Sequence, residues 1–440
     1  MKNQILSVTC LFCLFGASLI TQAASFDEMT PHLDTDGSLI GYINFEGDGM
    51  EIGTQLNAIY ADAMATIPGM MPIPLDFPAL FETLGFGSMQ AFALSSKELE
   101  DGLHANRSVV SFDGRPAGLF AIYGTPESPH LPFHAVELAP ADATGAISGR
   151  IDLTVLRDTA KNLVIQVMGP MGEEMARQQL QGFVPGTEIT INEVIEGLSG
   201  HWDLFWKEEY DEELTASFQG WLRIQGAAAA VEKLRPLIAD PNVGILVVET
   251  ETGLTANLSA LTESGGFDLF VETNREENVV LVYSSQKWGP DSEGPRLSDT
   301  AGFKKLSGRL PQKALIYSYT AGYDLSAVMG ALKSNSAIGP YAGLGEKIVG
   351  LFLSDFLEPT IGALYFEDNN LISEAYAGYS TKQAVMIIPA SIAGVMTAMA
   401  LPAFNKVRGV SQEKAVTNNL RQIAAASQQY FLETGETKVS

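Results

Sequence analysis

Apolar and polar residues alternate along LIGYINFEG (Leu39–Gly47), and the run that follows, EIGTQLNAIYADAMATI, spaces its apolar positions three and four apart. A period of two predicts a half-buried strand, and the wider spacing predicts an amphipathic helix. A second helix start, LDFPALFETLG, then leads into two further alternating runs, MQAFALSS and NRSVVSFDG. The order comes back in AISGRIDLT (Ala146–Thr154), the helical run VLRDTAKNLVIQVMGPMGEEMARQQL, the helix–turn–strand INEVIEGLSGHWDLFWKEE and the strand TASFQGWLRIQG. It comes back again in ALIYSYTAG (Ala314–Gly322), DLSAVMGALKSN, GEKIVGLFLSDFLE and the pair IGALYFEDNN and LISEAYAGYS. An internal repeat of strand, helices and hairpin is therefore expected.

Between the second and third units stand VGILVVETE, FDLFVETN and NVVLVYSS, the last two separated by Arg275-Glu276-Glu277-Asn278. In the third unit Asp368-Asn369-Asn370 parts two alternating runs. Both are turn compositions between strands, so hairpins are predicted. Strands paired as hairpins with helices inserted between them give an α+β class with largely antiparallel sheets; a doubly wound parallel sheet is the competing class. The body divides into a first α+β region over 25–210, holding two units, and a second over 211–380, holding the central strands and the third unit. The Pro- and Gly-rich stretches Gly124–Gly145 and Ser284–Gly302 read equally as boundaries or as ordered surface loops.

The pattern changes at residues 384–404, AVMIIPASIAGVMTAMALPAF, which carry no charge and are followed by Lys406 and Arg408. A bilayer core takes about 20 apolar residues in a helix, so a transmembrane helix is expected here. Ala390, Gly394 and Ala398 give it a small-residue face for close helix packing, and Pro402 removes one backbone bond. Residues 405–440 form a short amphipathic tail with five basic residues against three acidic. At the other end, residues 1–24 have Lys2, an apolar core and Ala23-Ala24, the layout of a secretory signal peptide. Both cysteines, Cys10 and Cys13, lie inside it, so the mature chain is expected to lack disulfides and thiolate metal sites.

Net charge is −25, with 52 acidic against 27 basic residues. Such a body repels nucleic acid, which is excluded as a partner. Export followed by a hydrophobic run and a basic end places the body in the periplasm, the run in the bacterial inner membrane and the tail in the cytoplasm. Membrane lipid is the first expected partner.

From Gly394 onward, GVMTAMALPAFNKVRGVSQEKAVTNNLRQIAAASQQYFLETGET resembles the N-terminal helix of type IV pilins and type II secretion pseudopilins. The residues that carry the likeness are Gly394, Pro402, Lys406, Arg408 and the helix Asn418–Ile423 with Tyr430-Phe431. The segment departs from that family in standing at the C-terminal end, with Ser380-Thr381 at the processing position and Val385 in place of the family's glutamate. The resemblance implies docking beside pilin-like or other envelope proteins, or an anchor alone. ELAPADATGAISGRIDL and VIEGLSGHWDLFW are similar to motifs of a family of exported bacterial proteins that brings no reaction with it.

Chemistry was sought in the remaining polar residues. His130 and His134 are four apart but separated by Pro132, so they do not share a helix face; a loop metal site with Glu137 is set against ordinary surface histidines. Asp34-Thr-Asp36-Gly37-Ser38 reads as a turn rather than half a calcium loop. Lys207–Leu214 (KEEYDEEL) reads as a solvated hairpin edge, and Ile67–Phe81 as a packed loop or an apolar groove. Neither catalytic residues nor a cofactor are expected. The sequence points to a non-enzymatic, membrane-anchored envelope protein acting in assembly or interaction. The alternative is a periplasmic carrier of lipid or another hydrophobic ligand, and a carboxylate enzyme would require two or three acids converging in a cleft.

Overall fold

A computed structural model of the chain describes residues 26–46, 48–66, 75–210, 216–239, 245–259, 268–284, 287–322 and 354–383. A short α1 (Phe26–Met29) precedes β1 (Leu39–Asn44), α2 (Asp48–Thr66), α3 (Phe77–Leu84) and the hairpin of β2 (Met89–Glu98) and β3 (His104–Phe112). Next come α4 (Ala135–Leu138), β4 (Gly145–Ile151), α5 (Leu153–Met168), α6 (Pro170–Gln181), α7 (Ile191–Leu198) and the hairpin of β5 (Gly200–Tyr210) and β6 (Ala216–Gln225). Then α8 (Ala228–Lys233) and α9 (Arg235–Ile238) lead to β7 (Leu246–Glu249), β8 (Leu254–Asn257), β9 (Phe270–Asn274) and β10 (Val279–Tyr283). Last are α10 (Ala301–Ser307), β11 (Ile316–Thr320) and the hairpin of β12 (Thr360–Glu367) and β13 (Asn370–Ala377).

Local chemistry sets the helix ends. The Asp76 side chain accepts from Ala79 N at the start of α3, and Gly85 closes that helix in the left-handed region at φ 99°. There a Cβ would lie 2.1 Å from the Ala117 carbonyl oxygen, so only glycine fits without a shift. Thr190 and Glu193 form a reciprocal capping box on α7. The run expected as one helix over 155–180 is broken into α5 and α6. Gly169 takes φ 59°, and Pro170 begins the next helix where its missing N–H costs nothing.

The thirteen strands form one sheet in the order β1-β2-β3-β13-β12-β11-β4-β5-β6-β10-β9-β8-β7. Every pairing is antiparallel. The fold is α+β, and the parallel alternative is excluded. Asp368 and Asn278 take positive φ at the two hairpin turns read from composition. The strand order is the unexpected part: the last hairpin, with β11, lies in the middle, joining β3 on one side to β4 on the other.

Each face of the sheet has its own cover. On one, α8 packs Ala228 and Val231 against Ile224, Val280 and Leu222, and Phe86 and Phe120 pack against Phe112, Val110 and Phe366. Helix α5 joins this layer through Gln166 Nε2, which donates to the Ala79 carbonyl at 3.0 Å. The opposite face is covered by shorter pieces. Met29 and Leu33 lie on Ala91, Val109 and Ile372. Ala135, Val136, Leu297, Phe303 and Leu306 lie on Phe205, Trp221, Tyr319 and Ile361. The described residues of both Pro- and Gly-rich stretches thus contribute to the covering of this second face, and the stretches are bridged at Pro140 and Arg296.

Contacts divide the chain after Thr381 into a body and a second unit, of which only Lys382 and Gln383 are among the described residues. The hydrophobic run 384–404, with Ala390, Gly394, Ala398 and Pro402, lies outside them, as does the tail. Among the described residues no helix is long and apolar enough to cross a membrane.

Candidate functional site

Cross-strand partners share a face of a sheet. Followed strand to strand, one line of partners crosses all thirteen strands: Ile40, Ser95, Arg107, Glu374, Ala363, Tyr317, Ser148, Asp203, Arg223, Leu281, Glu272, Thr255 and Val248. The line lies on the loop-covered face and sets two arginine–carboxyl pairs into it.

The first pair centres on Asp203, whose side chain is 1% exposed. His134, from the loop before α4, places Nδ1 2.9 Å from Oδ2. Ser148 Oγ donates to Oδ1 at 2.8 Å and accepts the Ala135 N–H at 2.7 Å. His201 Nε2 lies 3.2 Å from Oδ1, at ion-pair distance but off the line of a hydrogen bond. Arg223 Nη1 stands 3.5 Å from Oδ2. Burial pushes the Asp203 carboxyl up, but the bonds from His134 and Ser148 and the nearness of His201 outweigh it and hold the group well below the usual carboxylate range. Asp203 is therefore ionised and only accepts, so His134 carries its proton on Nδ1.

This geometry decides what the serine and histidine do. A nucleophilic serine must donate to its base, whereas Ser148 and His134 both donate to the same carboxylate. Asp203 orients the imidazole and ties the loop to the sheet, and Ser148 is not activated by it.

The hydrogen bond to Asp203 holds the His134 imidazole above its ordinary range, against the opposite pull of burial. A base with a raised folded-state pKa contributes stability that is full below its unfolded value, about 6.5, and lost as pH rises through the folded value. Wild-type protein is expected to exceed His134→Gln in unfolding free energy at about pH 5.5 and to lose that advantage as pH rises beyond about 6.5 through the raised folded value. Parallel pH profiles for the two proteins would remove His134 from the account.

The second pair centres on Glu374, with a side chain 5% exposed. Arg107 reaches its Oε1 from Nε at 3.1 Å and Nη2 at 2.7 Å. Tyr376 donates to Oε1 at 2.6 Å and Tyr365 to Oε2 at 3.2 Å. Burial, with the negative Glu374 beside it, pushes the Tyr376 hydroxyl up to about 12. Asp34 Oδ2 lies 3.6 Å from Arg107 Nε, so two acids converge on one guanidinium.

The residues singled out by sequence are placed as follows. His134 is not a surface histidine but the partner of Asp203. His130 is held neutral by burial, its pKa lowered. Asp34–Gly37 closes as a turn, with Gly37 N donating to the Asp34 carbonyl at 3.1 Å. Asp203, Ser148, Arg223, Arg107 and Glu374 were not singled out, although a readable signal existed. In HWDLFW and LISEAYA an acid sits on the same alternating face as Phe205, or as Ile372 and Tyr376. Among the described residues no group of three His, Cys, Asp or Glu is placed to hold a metal ion.

On the helix-covered side, α5, α6 and α7 border a cleft of about 420 Å³ that includes Arg157, Lys161, Arg177, Asp158 and Glu196. Arg157 is committed to Asp158, Asn192 and Glu196 there. The cleft is polar and close to balanced in charge.

No family model, curated protein or solved structure matches this chain.

Proposed function

We propose that the chain is a non-enzymatic protein of the bacterial envelope: an exported acidic body, held at the inner membrane by residues 384–404, that acts in assembly or interaction through its pilin-like segment. The observation that carries this reading is how the body ends, immediately before the charge-free run. Asn106 Nδ2 donates to the Tyr379 carbonyl at 2.9 Å, and Thr381 N and Oγ1 both donate to Asn106 Oδ1, at 2.8 and 2.9 Å. Ser96 Oγ donates to the same oxygen at 2.7 Å. Tyr379 and Thr381, the last residues of the body, are thus bonded to β2 and β3 of the sheet. The buried carboxyl groups Asp203 and Glu374 spend their oxygens on neighbours within the body, which suits a scaffold.

The repeated units fit the same role. The order strand, helices, hairpin holds for β1–β3 and β4–β6, and β11–β13 supply the strands of a third unit. Removal of residues 384–440 is expected to move the protein from the membrane fraction to the soluble fraction after an alkaline wash. Retention as firm as that of the full chain would defeat the proposal.

A further inference from the structure

From the basic side chains that the sheet register sets beside Asp203 and His201 we infer that Arg150, His201, His134 and Arg223 form a binding site for a phosphate group on the loop-covered face of the sheet. The ladder register sets Arg150 beside His201 and Arg223 beside Asp203, with positions 201 and 203 on one face of β5. Three basic side chains therefore share the Asp203 carboxylate, and Arg150 stands across the ladder from one of them, in a protein where acidic residues outnumber basic ones 52 to 27. That carboxylate is buried and already accepts from Ser148 and His134.

Donor capacity is left over. Arg150 makes no ion pair among the described residues. Arg223 approaches Asp203 at 3.5 Å, too far for a strong hydrogen bond. The His134 ring is bonded through Nδ1, so its Nε2, which donates once the ring is protonated, faces away from Asp203, and the side chain is 33% exposed. His134 and Arg223 approach the same oxygen, Oδ2, so both side chains stand beside Asp203 on the loop-covered face. Two arginines repel a metal cation, whereas their planar forks match the oxygens of a phosphate. The inference concerns the body alone and does not depend on the membrane tether.

Titration calorimetry of the detergent-solubilised full chain tests it, at ionic strength matched with chloride because exposed charges are screened. Inorganic phosphate and glycerol phosphate, the soluble form of a lipid headgroup, are the two probes. Binding of either supports the site, and the tighter one identifies free phosphate or headgroup as the source. Arg150→Gln, with no ion pair to lose, is expected to weaken that binding about tenfold or more while leaving the unfolding temperature in chloride unchanged. Arg223→Gln is expected to weaken it similarly. No heat with either probe, or binding that survives Arg150→Gln undiminished, overturns the inference.

Discussion

Asp203→Ala is expected to destabilise the body by about 3–5 kcal/mol, the usual cost of removing one partner from a buried ionic cluster. The carboxylate is the common acceptor for His134 and Ser148, the counter-charge for Arg223 and a close neighbour of His201. Truncation leaves Arg223 without its ion-pair partner and the Ser148 hydroxyl without its acceptor. The loop before α4 also loses a tie to the sheet, because His134 is bonded to Asp203. Denaturant midpoints of the full chain measure the effect. A loss below about 1 kcal/mol would mean that water takes the carboxylate's place at little cost. Asp203→Asn keeps the shape and one acceptor, so it is expected to fall between wild type and alanine.

Glu374→Ala is expected to cost a similar amount, about 3 kcal/mol or more, through a different set of partners. Arg107 would lose both bonds to Oε1, and Tyr376 and Tyr365 would lose the acceptor of their hydroxyls. Asp34, 3.6 Å from Nε, would remain as the acid beside Arg107. Four strand spacings separate β13 from β5, roughly 19 Å at the usual interval. The two clusters share no residue, so the double variant is expected to lose the sum of the single losses to within about 0.5 kcal/mol. A coupling well beyond that would show that the polar line acts as one unit across the sheet.

The strands were legible because their signal is local. Alternation located β1, β12 and β13 directly, and Arg275–Asn278 marked the β9–β10 turn. Strand β8 (LTAN) was too short and too polar to stand out. The break between α5 and α6 was also written in the chain, as Gly169-Pro170, but the surrounding helical spacing masked it. Sheet order was not legible, since nothing near β3 states that its neighbour is β13; Arg107 and Glu374 are 267 positions apart. The Asp203 cluster escaped for the same reason. His134 meets Asp203 only because the stretch Gly124–Gly145 folds back over the sheet, and composition left that stretch open between linker and covering.

Because β11, β12 and β13 stand between β3 and β4, synthesis from the N-terminus first yields two half-sheets, each with a bare inner edge. Neither edge is sealed until residues 316–377 arrive, so the final hairpin works as a keystone. Pairing that late and that distant is slow, and open strand edges invite pairing with other chains in the meantime. A product that stops short of β13 would leave Arg107 and the rim of β3 exposed. The body can close only once the stretch leading to Thr381 has been made.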